Sequence, residues 1–184
     1  MTFQKVVVGG GDGRCGARGG GVMFARIAPK LIDSGWPAVI PLIGKKAFTD
    51  DWSRYNKEPL EDEQLEAWCR QYPNHNVGLP VPQTITIIDK DILDPEIAAT
   101  VEDLRVRHLG RTPLVRVGRA PKTMAFYQGS DIGSRKVHPI EVFNGSGQVA
   151  IYGTHPDTRL SYYWTDEEPI SVSPTDLRAS PQSR

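Results

Sequence analysis

Residues 84–91 read T-I-T-I-I-D-K-D, and this stretch decides the fold. Ile85, Ile87 and Ile88 make it β-prone and apolar, and it ends in two carboxylates one residue apart, Asp89 and Asp91. Successive side chains of a strand point to opposite faces, so residues i and i+2 share a face. A strand running through Asp91 therefore sends both carboxylates out of one face. Like charges that close disfavour each other unless a cation lies between them. Hard cations such as Mg²⁺ take carboxylate oxygens together with substrate phosphates. Two readings stand: a metal-binding strand end, or two ordinary polar residues where a strand meets a loop.

The bulk composition narrows the classes. A chain of 184 residues supports one domain with a substantial core or two small lobes. Lys+Arg and Asp+Glu both number 22, so no global basic footprint exists and nucleic-acid binding needs a local patch. Cys15 and Cys69 lie far apart in dissimilar contexts. They give neither a disulfide framework nor zinc spacing, which points to a reduced cytoplasmic setting. No apolar run approaches the ~20 residues of a membrane span, and the N-terminus lacks a signal-peptide core.

Before the central strand, residues 9–21 hold eight glycines. They lack the Gly-Lys-Ser/Thr ending of a phosphate loop, so residues 1–22 are expected to be a flexible Gly-rich leader. Residues 24–34 follow a 3.6 period through Phe24, Ile27, Ala28, Leu31 and Ile32, with Gly35 as helix stop and Pro29 as an awkward interior residue. Residues 37–43 predict a strand. Lys45 and Lys46 follow on a Gly44 turn, either to hold a phosphate or template backbone or as a solvated surface turn. Residues 61–71 predict a helix with acids in its first turn, and residues 77–81 an extended segment.

After the central strand, Asp94 as N-cap and Pro95 as first helical residue open a helix that runs to about Leu109 and stops at Gly110. Ile97, Val101, Leu104 and His108 are spaced along one of its sides. Residues 114–118 and 123–128 predict two strands of a hairpin. Arg116, Arg119 and Lys122 cluster around it, and such cations suit phosphate or simple surface solvation. Residues 138–143 predict a strand carrying Glu141 among apolar residues. A half-buried carboxylate wants a partner, which an arginine or a metal shared with Asp89 and Asp91 would provide. Asn144-Gly145-Ser146-Gly147 predicts a hairpin turn, with residues 148–152 returning. His155 follows in a polar loop, placed to donate to a phosphate or sugar or to bond its own backbone. From Ser171 onward, Ser and Pro predict a flexible tail or linker, leaving residues 23–170 as the folded domain.

The order of these pieces resembles the archaeo-eukaryotic primase superfamily, and more narrowly the bifunctional DNA primase–polymerase N-terminal domain of phage, plasmid and mobile-element replication proteins. The resemblance runs from about Phe24 to Pro169. It rests on Gly35-Trp36-Pro37, the Lys45-Lys46 turn with Trp52, and Asn76-Val77-Gly78-Leu79. It rests equally on Ile88-Asp89-Lys90-Asp91 as a first catalytic motif, on Ile140-Glu141-Val142-Phe143 as a third, and on the downstream Gly153-Thr154-His155-Pro156-Asp157-Thr158 and Tyr163-Trp164. Two departures stand out. The Ser-x-His element frequent in the family's second motif is absent from residues 119–127, and Glu141 stands where many relatives have aspartate.

The resemblance implies an α/β (α+β) fold with an RRM-like catalytic sheet and an N-terminal αβ module. It implies template-dependent nucleotidyl transfer with two Mg²⁺ or Mn²⁺ ions on Asp89, Asp91 and Glu141. Arg116, Arg119, Lys122 and His155 would hold the nucleoside triphosphate, and Lys45 and Lys46 template or nucleotide. Its partners would be single-stranded or primed DNA and a helicase, as a further domain or a separate protein. Two rival readings use the same residues: a non-catalytic nucleic-acid-binding module stacking bases on Phe126, Tyr127 and Phe143, and a two-metal nuclease.

Overall fold

The structure is a computed structural model that describes residues 23–129 and 132–179. The expected Gly-rich leader of residues 1–22 lies outside the described residues, as do residues 180–184.

Helix α1 (Met23–Asp33) buries Phe24, Ile27, Ala28 and Leu31, the stripe that its 3.6 period predicts. Pro29 is accommodated inside it, and the helix ends at Gly35, whose φ of 91° suits a residue without Cβ. Strands β1 (Ile40–Ile43) and β2 (Lys46–Ala47) form a hairpin over the Gly44 turn. A short 3₁₀ segment, Trp52–Asn56, leads to α2 (Asp62–Gln71), which buries Trp68. Strand β3 (Asn76–Pro80) precedes the central strand β4 (Ile85–Lys90). Helix α3 (Pro95–Leu109) is capped by Asp94, whose carboxylate accepts from the backbone N–H of Glu96 and Ile97, each at 3.0 Å. Strands β5 (Val115–Val117), β6 (Thr123–Gln128), β7 (Arg135–Val137), β8 (Ile140–Asn144), β9 (Gln148–Tyr152) and β10 (Tyr163–Trp164) complete the list.

These strands make two antiparallel sheets, one in the order β2-β1-β3-β9 and one in the order β10-β5-β6-β4-β8-β7. This is the mixed helix and sheet fold that the resemblance implies. The smaller sheet and helices α1 and α2 correspond to the expected N-terminal module, with one correction: its edge strand β9 comes from the C-terminal half. The expected β8–β9 hairpin does not form. β8 pairs with β4 and β7, whereas β9 pairs with β3. Gly145 and Gly147 take positive φ values of 70° and 80° and turn the chain out of one sheet into the other. Asn144 anchors the exit by donating from Nδ2 to the carbonyls of Gln83 and Ile85, both at 2.9 Å. The Asn-Gly signal marks the turn correctly, but a local signal cannot say which strand waits beyond it.

Strand alternation sorts β4. Ile85 and Ile87 are fully buried in the main core with Trp36, Phe126, Leu79 and Ile151. Lys90 turns to the other face, under α3, where its ammonium donates to the Ala98 carbonyl at 2.9 Å and meets Glu102 at 3.3 Å. On that face Val115, Ala125 and Tyr127 form a small second cluster. β4 ends one residue short of Asp91, although the Asp91 N–H still donates to the Pro139 carbonyl at 2.8 Å.

The expected flexible tail is corrected for residues 171–179. Val172 and Leu177 are buried, and the indole N–H of Trp36 donates to the carbonyls of Pro169 at 2.8 Å and Val172 at 3.2 Å. The Gln128 N–H donates to the Arg178 carbonyl at 2.9 Å. Ser and Pro here serve a docked loop with a 3₁₀ turn at Pro174–Asp176. Composition alone does not separate such a loop from a linker.

Candidate active site

The larger sheet carries one row of directly paired residues across all six strands. In order they are Trp164, Arg116, Met124, Asp89, Glu141 and Lys136. Paired residues share a face, so the row brings Asp89 and Glu141 side by side from distant parts of the chain. Asp89 and Asp91 line one cleft together with Lys45, Arg116, Arg119, Lys122 and His155. The cleft lies between the end of β4 and the start of β9, with Gln148, Val149 and Ala150 on its far wall.

The charges inside the cleft are strongly coupled. Burial pushes the Asp89 carboxyl up to about 6; Arg116 opposes that shift, and Asp91 and Glu141 add to it. Asp91 moves the other way, because a hydrogen bond from Lys122 holds its carboxyl below the usual range. Glu141 accepts from Lys136 at 3.1 Å. Two of the three carboxylates thus carry a lysine ammonium. Among the described residues, no group of three or more His, Cys, Asp or Glu side chains stands as a metal-holding cluster. The donor chemistry nonetheless suits a hard cation, since all three residues offer carboxylate oxygens on one face.

Three cationic candidates differ in placement. Arg116 is buried, donates to the Ala150 carbonyl and lies 4.5 Å from the centre of the Tyr162 ring. One of its donors is spent on the Ala150 carbonyl while its Nε–H has no hydrogen-bond partner among the described residues, and it places a positive charge near Asp89. Burial lowers the pKa of Lys45, with Arg116 and Lys122 adding to that and Asp157 and Asp89 opposing. Lys46 lies exposed on β2 and does not line the cleft.

His155 is a cleft residue with a fixed tautomer. Its Nδ1 accepts from the backbone N–H of Asp157 at 3.2 Å and Thr158 at 3.4 Å. A neutral imidazole whose Nδ1 accepts carries its proton on Nε2. Burial, aided by Lys45, lowers its pKa and favours this neutral form. The ring bonds its own loop through Nδ1, which leaves Nε2–H as a donor.

The structure also gives roles near the cleft to two residues that the sequence does not single out as site residues. Gln148 Nε2 donates to the Lys45 carbonyl at 2.7 Å. Asn76 Nδ2 donates to the carbonyls of Gly44 and Thr154, both at 2.8 Å, while its Oδ1 accepts from the Thr154 N–H at 2.9 Å. Asn76 therefore ties the turn before Lys45 to the loop that carries His155. Neither residue sits in a local pattern of chemistry-bearing side chains. Base stacking on the sheet loses two of its three aromatics, because Phe126 and Tyr127 are fully buried.

The family model for the bifunctional DNA primase/polymerase N-terminal domain matches residues 28–178. The chain belongs to the bifunctional DNA primase/polymerase N-terminal family. This is a primase/polymerase-type nucleotidyltransferase family, and membership implies binding of a DNA template and nucleotides. No curated protein matches the chain. The primase/polymerase match covers both sheets and all three helices from residue 28, including the cleft and the docked segment up to Arg178. Among the described residues, no helix is long and apolar enough to cross a membrane.

Proposed function

We infer that the chain is a template-dependent nucleotidyltransferase that primes or extends DNA, acting within a phage, plasmid or mobile-element replication system beside a helicase. The observation that carries this reading is the single cleft in which Asp89 and Asp91, with Glu141 in register beside Asp89, face Lys45, Arg119, Lys122 and His155. A triphosphate needs this juxtaposition of hard-oxygen donors and cations at one place.

Asp89, Asp91 and Glu141 would hold Mg²⁺ or Mn²⁺. Bound there, the ions supply activation of the attacking 3′-hydroxyl and stabilisation of the leaving pyrophosphate. Lys122 and Lys136 exchange their carboxylate partners for phosphate or solvent as the site fills. Arg119 and Lys122 bind the triphosphate in place of the absent second-motif histidine, and the Nε2–H of His155 donates to a phosphate or sugar oxygen. Arg116 contributes charge from behind. No side chain acts as a covalent nucleophile.

The test is incorporation of labelled nucleotides on single-stranded and primed templates with Mg²⁺ or Mn²⁺. EDTA and the double variant Asp89→Ala/Asp91→Ala serve as controls. Products that depend on metal and vanish in the folded double variant support the reading, and the template used separates priming from extension. Products that persist in the variant overturn the site. Shortened rather than extended DNA assigns the carboxylates to hydrolysis instead.

A further inference from the structure

We propose that the outer side of helix α3 is a self-association surface through which two copies of this chain pair antiparallel about a two-fold axis. Of the residues spaced along one side of α3, Ile97, Leu104 and His108 are exposed and Val101 is half-buried. Ile97 is 55% exposed and Leu104 44% exposed, and Leu93, just before the helix, is 49% exposed. Ala98 is the buried residue of the helix, and its inner side meets the sheet through polar groups: Lys90 with Glu102, and Arg105 with the Tyr127 hydroxyl. The apolar stripe is thus a second face, separate from the one that holds α3 in place. Single exposed apolar residues are ordinary, but a contiguous stripe of them at helical spacing marks an interaction site.

Charge placement selects the occupant. The N-terminal end of α3 is acidic, with Asp94 and Glu96, and the C-terminal end is basic, with Arg107 and His108. In an antiparallel pair centred between Ile97 and Leu104, Ile97 of each copy meets Leu104 of the other. Glu96 of each copy then lies along the same flank as Arg107 of the other. Every charged end meets its opposite, and the helix dipoles lie antiparallel, each positive end beside a negative one. A parallel pair would set acid on acid and base on base. A two-fold interface uses one patch twice, so a surface complementary to its own inverted copy is the arrangement it requires. By strand alternation, α3 covers the Lys90 face of the sheet and the cleft opens on the Asp89 face. Pairing therefore leaves both clefts open.

Sedimentation velocity of the full 184-residue chain, across a concentration series, tests the proposal. The expected result is a monomer–dimer equilibrium that Leu104→Glu abolishes. Glu96→Arg weakens it and Glu96→Arg with Arg107→Glu restores it, all with unchanged circular dichroism. These residues are exposed and outside the cleft, so nucleotide incorporation per chain stays constant. A monomer at every concentration, or a dimer indifferent to Leu104→Glu, overturns the proposal. So does failure of the double charge exchange to restore the dimer.

Discussion

Asp89 and Glu141 stand directly opposite each other on neighbouring antiparallel strands, β4 and β8. Directly paired residues lie with Cβ atoms about 4.5–5.5 Å apart, so Glu141 stands beside Asp89, although only Asp89 and Asp91 line the cleft. Asp91 and Glu141 both raise the cost of ionising Asp89, and cations stand beside all three: Arg116 near Asp89, Lys122 on Asp91 and Lys136 on Glu141. Burial and two acidic neighbours push Asp89 toward its protonated form.

That arrangement predicts a stability effect with a definite sign. In EDTA, the Asp89 carboxyl has a folded pKa of about 6, above its ordinary unfolded value. The folded state therefore binds more protons between roughly pH 4 and 6, and stability falls as pH rises through that window. Asp89→Asn removes the titration. The variant should be more stable than the parent above pH 6, by about 3 kcal/mol, and the two should converge below pH 4. Urea unfolding at pH 3.5, 5 and 7.5 reads this directly, and parallel stabilities at all three would contradict it. Incorporation should vanish in the same variant.

Lys122→Ala addresses the cation on Asp91. The lysine side chain is a quarter exposed, and ion pairs this accessible contribute little to stability, so unfolding should shift by less than about 0.5 kcal/mol. Its loss should raise the nucleotide KM by about tenfold or more, the worth of one charge-assisted contact. The Asp91 carboxyl should titrate closer to the usual range, which carboxyl NMR can follow. An unchanged KM would remove Lys122 from triphosphate binding.

Asn76→Ala tests positioning without touching substrate. The substitution leaves the Gly44 and Thr154 carbonyls and the Thr154 N–H without their partner. A loss of about 1–2 kcal/mol in stability should follow. Lys45 and His155 would lose their common anchor, and kcat/KM should fall by roughly tenfold or more. Asn76→Asp should do no better, because a carboxylate cannot donate to either carbonyl. Full activity in a destabilised Asn76→Ala would confine the residue to a structural role.

Much of this molecule is legible in the sequence wherever the signal is local. The Asp94-Pro95 start of α3 and its Gly110 stop, the α1 stripe from Phe24 to Leu31, and the β5–β6 hairpin all sit where pattern and capping place them. Those features depend on neighbours within a few residues. The same is true of the alternation that puts Asp89 and Asp91 on one side and Lys90 on the other. Tertiary structure decided what lies across the sheet. It placed Glu141 beside Asp89 and buried Arg116 against Ala150 and Tyr162. It took β9 into the other sheet, joined the Lys45 turn to the His155 loop through Asn76, and left Ile97 and Leu104 facing outward. Local rules fix the face of a side chain and the ends of an element. Which strand pairs with which is a competition among distant burials, settled only when the whole core closes.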